Sequence, residues 1–158
     1  MAALENALIA ELARKSSVCW VRHAGRSHPV WHVWSGDALC LVSGGSEQPL
    51  PDLDDGDLVE VVMRSKDNGG RLLTWVGRTS VVRPGDKEWS ATTTALVTAR
   101  LNLPDVAAAA KVWAGSSVVR RVLPTGDVVE APGSLPEGAL RAVPRDTPAT
   151  TRKPVRGP

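Results

Sequence analysis

The sequence contains no phenylalanine and no tyrosine, and six tryptophans are its only aromatic side chains. Ring packing and ring stacking therefore both fall to tryptophan. Cysteine is nearly absent. Cys19 and Cys40 stand apart, without a CxxC pair or dense spacing, which argues against a disulfide scaffold. Both are read as buried free thiols in a reducing cytosol. No apolar run approaches the ~20 residues of a membrane helix. Met1 to Lys15 carries Glu5 and Glu11 instead of a basic start, so no signal peptide is expected. These absences point to a cytoplasmic protein. A charge excess is missing as well: the formal net charge is +2. The basic surplus lies from Pro132 onward, in Arg141, Arg145, Arg152, Lys153 and Arg156, against Glu137 and Asp146. The near-neutral body offers no electrostatic platform for nucleic acid.

What is present is one domain's worth of patterned chain, 158 residues of which 42% are apolar. Leu4, Leu8, Ile9 and Leu12 recur at helical spacing and predict a helix over 3–14. Apolar and β-branched runs predict strands over 17–23, 30–34, 38–43, 58–64 and 71–83, linked by turn clusters. Gly77, inside the longest run, marks a bulge or a barrel corner. Trp89, Thr93, Leu96 and Arg100 predict a helix over 86–101, and an alanine-rich helix over 106–113 is expected to stop at Gly115. A last strand over 118–123 can pair back through Pro124-Thr125-Gly126-Asp127 with 128–131. From Pro132 the composition of Pro, Thr and Arg predicts a disordered tail able to contact an acidic partner. The domain is therefore 1–131, and the tail 132–158. Short strands joined by turns around a bulge glycine predict a mainly β (α+β) protein built on an antiparallel barrel or a strongly curled sheet, with flanking helices.

The densest chemistry lies between His28 and Pro51. A hairpin there opens into Gly44-Gly45, followed by Ser46-Glu47-Gln48 and two prolines. A small, polar, glycine-lined corner at a sheet exit is a candidate ligand site. Other chemistries are excluded. His28 and His32 would lie about 13 Å apart along a strand, too far to chelate together, so no metal site is expected. There is no G-x-S-x-G elbow, no Walker loop and no G-x-G-x-x-G fingerprint.

His28-Pro29-Val30-Trp31-His32-Val33-Trp34, Ala38 to Ser43, Leu73 to Thr79 and Arg121 to Pro124 together resemble the FMN-binding split barrels. This is the superfamily of pyridoxamine 5′-phosphate oxidase and the deazaflavin-dependent reductases. The Glu-Gln-Pro and Arg-Ser-Lys-Asp pieces are most like those of actinobacterial members. The resemblance implies a split barrel, a homodimer, and an FMN or F420 cofactor at the seam, with oxidoreductase chemistry on an unknown substrate. Hydride transfer would need no acid or base from the chain, and no catalytic residue stands out. Ser43 stands where the family's strand ends in Thr. Glu47 and Gln48 stand where it carries a phosphate-gripping cation, which Arg64, Ser65, Lys66 and Arg71 could replace. The candidate cofactor-binding residues are thus Trp31, His32, Ser43, Gln48, Arg64, Ser65, Lys66 and Arg71. The competing readings are Trp31 as core, His32 as a satisfied structural histidine, and the cations as solvated loop charges. The functional alternative is a barrel without cofactor that binds a small ligand or a protein.

Overall fold

The computed structural model describes residues 2–64, 72–100 and 105–130. Its elements are α1 (Ala2–Lys15), β1 (Val18–His23), β2 (Arg26–Trp31), β3 (Val33–Ser35), β4 (Ala38–Ser43), β5 (Leu58–Arg64), β6 (Leu72–Val82), α2 (Trp89–Ala99), α3 (Ala109–Ser116) and β7 (Val118–Glu130). The strands form one antiparallel sheet in the order β2-β1-β5-β6-β7-β4-β3. Its two edge strands are consecutive in the chain, separated only by His32. The sheet therefore curls until both edges meet in one segment, and this is a split barrel with flanking helices. The run 30–34, expected to be a single strand, breaks at His32, where the chain changes partner. His32 N–H still donates to Ser17 at 2.9 Å, extending the β1 pairing, while Val33 already faces Cys40 of β4.

Strand alternation explains two cores. Cys19, Val21, Leu39, Leu41, Val59, Val61, Met63, Leu73, Trp75 and Val122 fill the barrel, and Ile9, Leu12 and Ala13 of α1 cover it. Cys40, Val42, Val82 and Val119 face outward and are covered by Leu96 of α2 and Ala109 and Trp113 of α3. All six residues of β4 are buried because both its faces are covered. Burial pushes the Cys19 thiol up to about 12 and raises that of Cys40, so both stay protonated and inert. In α1 the C-terminal half carries the contact, and Leu4 is left exposed.

Two expectations at the C-terminal end change. β7 is one 13-residue strand, and Pro124-Thr125-Gly126-Asp127 is a bulge within it instead of a hairpin turn. Five residues of β7, from Pro124 to Val128, lie against three of β6, from Gly77 to Trp75. Gly77 sits at this irregularity, as its place in the sequence suggested. A Cβ there would collide with Val122 and with the Trp75 ring. Gly115 lies inside α3 and does not end it. Among the described residues no helix is long and apolar enough to cross a membrane. The expected tail, 132–158, lies outside the described residues.

Candidate functional site

The barrel's split is sealed by one side chain. Gln48 accepts a hydrogen bond from Trp31 N–H at 2.7 Å through Oε1. Its Nε2 donates to the Trp31 carbonyl at 3.0 Å and to the Val42 carbonyl at 3.1 Å. An amide side chain thus stands in for a strand between β2 and β4, where the ladder has opened. The carboxamide has both N–H groups and its oxygen committed to backbone, and so is spent on closure.

The glycine corner is filled as well. Gly44 N–H donates to Gln48 O and Glu47 N–H to Gly44 O, closing a tight loop. The C-terminus of α3 docks on it: Ser117 Oγ donates to Gly44 O, and a Cβ on Gly45 would lie 2.5 Å from Ser116 O. Glycine is needed here for close approach as well as for the φ of +63°. Glu47, its side chain 5% exposed, accepts from Trp113 Nε1 at 3.0 Å and is paired with Arg100 at the end of α2. The Arg100 guanidinium also lies over the Trp31 ring, 5.1 Å from its centroid. In the sequence Glu47 stood where the resemblance expects a phosphate-gripping cation. In the fold it ties both outer helices to the seam.

Below this latch Ser43 points into the barrel, where its hydroxyl accepts from Arg120 Nη1 at 2.8 Å. Arg120 Nη2 donates to Leu53 O at 2.9 Å, and its Nε–H is buried with no acceptor. Arg120 is 6% exposed and pairs directly with no carboxylate among the described residues. Burial pushes its pKa down, and the nearby charges of Asp55, Asp54 and Asp57 oppose this. These aspartates belong to a loop fastened to the end of β6. Val81 N–H donates to Asp55 Oδ1 at 2.9 Å, and Thr79 Oγ1 to the carbonyls of Asp54 and Asp57. The loop thereby presents the Leu53 carbonyl to the guanidinium.

Arg120 forms part of a cleft of about 680 Å³ between the barrel mouth and the outer helices. Trp89, Trp113, Val82 and Val119 supply apolar wall, while Asp54, Asp55, Arg83 and Ser117 supply polar groups. Its size is that of a small-molecule site.

The fold brings Trp31, His32, Ser43 and Gln48 together around the seam, but none of the four lines this cleft. His32 is 3% exposed, and its Nε2 lies 3.1 Å from the Ala13 carbonyl, while Nδ1 has no partner. The bond fixes the neutral tautomer with its proton on Nε2, and burial lowers the ring's pKa. Arg64 is the exposed last residue of β5, opposite Leu72. The cleft instead draws on the other end of β6, Val81 to Arg83. Ser65, Lys66 and Arg71 lie outside the described residues.

Sequence reasoning missed Arg120, Trp89 and Trp113 as cleft residues. One signal was present. Arg120 and Arg121 are adjacent in a strand, so alternation must turn one of them inward. Arg121 faces Asp37 at 2.6 Å, and Arg120 is the inward one.

The sequence matches no protein-family model, and no curated protein resembles it at a significant level. Solved structures do resemble it. The FAD-binding protein of Mycobacterium smegmatis aligns over 77% of this chain and 91% of its own, at 15% identity and a TM-score of 0.54. The heme storage protein HutZ of Vibrio cholerae covers the same shares at 11% identity, also with a TM-score of 0.54. The FAD and heme binding protein of M. smegmatis covers 94% of this chain and 91% of its own, at 15% identity and a TM-score of 0.50. At such identities the likeness is one of architecture, and that architecture is the split β-barrel.

Proposed function

We propose that this protein binds a flavin-class cofactor, FMN, FAD or the deazaflavin F420, with its ring in the cleft beside Arg120. The observation that carries this reading is the cleft itself: apolar and indole walls around a buried, incompletely paired guanidinium, at the mouth of a barrel shaped like those of FAD-binding proteins. The ring portion of such a cofactor suits these residues. Trp89 and Trp113 give a flat apolar wall, and Arg120 gives donors away from bulk water. A bound flavin would supply electron or hydride transfer, and the chain would hold the ring and exclude water from it.

The working unit in this proposal is a homodimer. The outer face of β1 and β5 exposes Val18, Trp20 and Leu58, with the Arg22–Glu60 ion pair at 2.6 Å beside them. A face carrying apolar groups and both charge signs is self-complementary under twofold symmetry.

The test is a titration of the full-length protein with FMN, FAD and F420, following ring absorbance and tryptophan fluorescence. Saturable quenching of tryptophan with a shifted ring spectrum is expected. Unchanged spectra with all three cofactors would overturn the proposal. They would favour the second reading, a cofactor-free barrel that binds another ligand. That reading draws on Glu47 and Gln48, whose polar groups the fold already uses.

A further inference from the structure

We infer that the cleft reads an uncharged planar heterocycle by a carbonyl and N–H edge, and that a phosphate on the ligand adds nothing to its binding. This deepens the proposed function and rests on it. Two observations carry it. The first is charge balance. The cleft holds the guanidinium groups of Arg83 and Arg120 and the carboxylates of Asp54 and Asp55, so its formal charges cancel. Asp55 lies 3.9 Å from Arg83, and the nearby carboxylates of Asp55, Asp54 and Asp57 favour and offset the positive charge of Arg120. A phosphate entering here would lose water without meeting net positive potential. The turn 44–48, the other polar corner near Ser43, is closed by its own backbone, by Gln48 and by α3.

The second observation is the pattern of donors and acceptors. Arg120 is donor-only and keeps donors unmatched by acceptors. Asp54, also on the cleft wall, is acceptor-only, and its carboxylate has no partner among the described residues. A donor-only guanidinium and an unpartnered carboxylate that line the same cleft match a ring edge that presents a carbonyl next to an N–H. A cyclic imide, as in the pyrimidinedione of flavins and deazaflavins, has that edge. Hydrogen bonds of this kind discriminate strongly, because an analogue lacking the group leaves the protein partner unpaired.

The experiment titrates the full-length protein with riboflavin, FMN and 3-methylriboflavin by tryptophan quenching, at low and high salt. Riboflavin and FMN are expected to bind within about threefold of each other, with little salt dependence, whereas a charge-assisted grip on phosphate would separate them by about ten- to hundredfold. Blocking the ring N–H, as in 3-methylriboflavin, is expected to weaken binding by about tenfold or more. Asp54→Ala, an exposed rim change that spares the core, should weaken riboflavin binding, because the ring N–H loses its acceptor. Arg120→Lys should do the same if it folds. FMN binding more than tenfold tighter than riboflavin, or 3-methylriboflavin binding like riboflavin, would overturn the inference and leave flavin binding standing. If no flavin binds, the proposed function falls and this inference falls with it.

Discussion

Gln48 replaces a missing length of strand. Its three hydrogen bonds satisfy backbone groups of Trp31 and Val42 that the opened ladder would leave unpaired. Gln48→Ala should therefore cost about 2–4 kcal/mol, measured by urea unfolding, since several half-buried backbone groups lose partners at once. Gln48→Glu, nearly the same shape, should cost as much, because a carboxylate cannot donate to two carbonyls. His32 yields a pH prediction. Its folded-state pKa is lowered by burial, so near pH 6 the unfolded chain binds more protons than the folded one. Stability contributed by neutral His32 is present above the unfolded value of about 6.5 and is lost as pH falls toward the folded value, at up to about 1.4 kcal/mol per pH unit. Melting temperature measured from pH 7.5 to 5 should fall less steeply in His32→Gln than in the parent. Equal slopes would show that His32 does not carry the effect.

At the scale of elements, the contact that matters is α3 on the turn after β4. Burial of Trp113 and Ala109 gives the helix its apolar hold, but its seating depends on the bare backbone at Gly45. Gly44 and Gly45 both have positive φ, at +80° and +63°, yet only Gly45 has a neighbour in the way of a Cβ. Gly44→Ala should cost about 1–2 kcal/mol, the usual penalty of a left-handed alanine. Gly45→Ala should cost distinctly more, because Ser116 must move, and it should alter the fluorescence of the Trp113 site. Equal destabilisation of the two variants, by urea unfolding, would show that α3 is not seated there. The helix spacing of Trp89, Thr93, Leu96 and Arg100 was legible in the sequence, whereas the partner of Arg100 was not. Glu47 is 53 residues away, and only the curl of the sheet brings the two together.

At the scale of the molecule, the outer face of β1 and β5 is where a second copy should sit. Trp20→Glu places a charge in that face, and Trp20 is exposed enough to leave the barrel core intact. Sedimentation should show a dimer for the parent and a monomer for this variant, with unchanged circular dichroism. A parent that sediments as a monomer at tens of micromolar would end the dimer proposal.

Local pattern was sufficient for the architecture. The apolar run 38–43, the alternation of 58–64, the turn residues between strands and the bulge at Gly77 each follow from side-chain size and backbone freedom within a few residues, and together they pointed to a barrel or curled sheet with flanking helices. The missing ladder at the split was not legible, because no local rule says which carbonyls lose their partners when a sheet closes on itself. Gln48 therefore read as a ligand group at a glycine corner, and only the tertiary structure decided that it bonds to Trp31 and Val42, and that Glu47 bonds to Arg100 and Trp113. Arg120 lay between these cases. Its adjacency to Arg121 required one arginine to turn inward, but its approach to Ser43 and Leu53 is a long-range matter. Sequence determined what each segment becomes, because propensity and alternation act over neighbouring residues. Closure of the sheet decided which polar groups are consumed by the fold and which are left for a ligand, because that depends on partners distant in the chain.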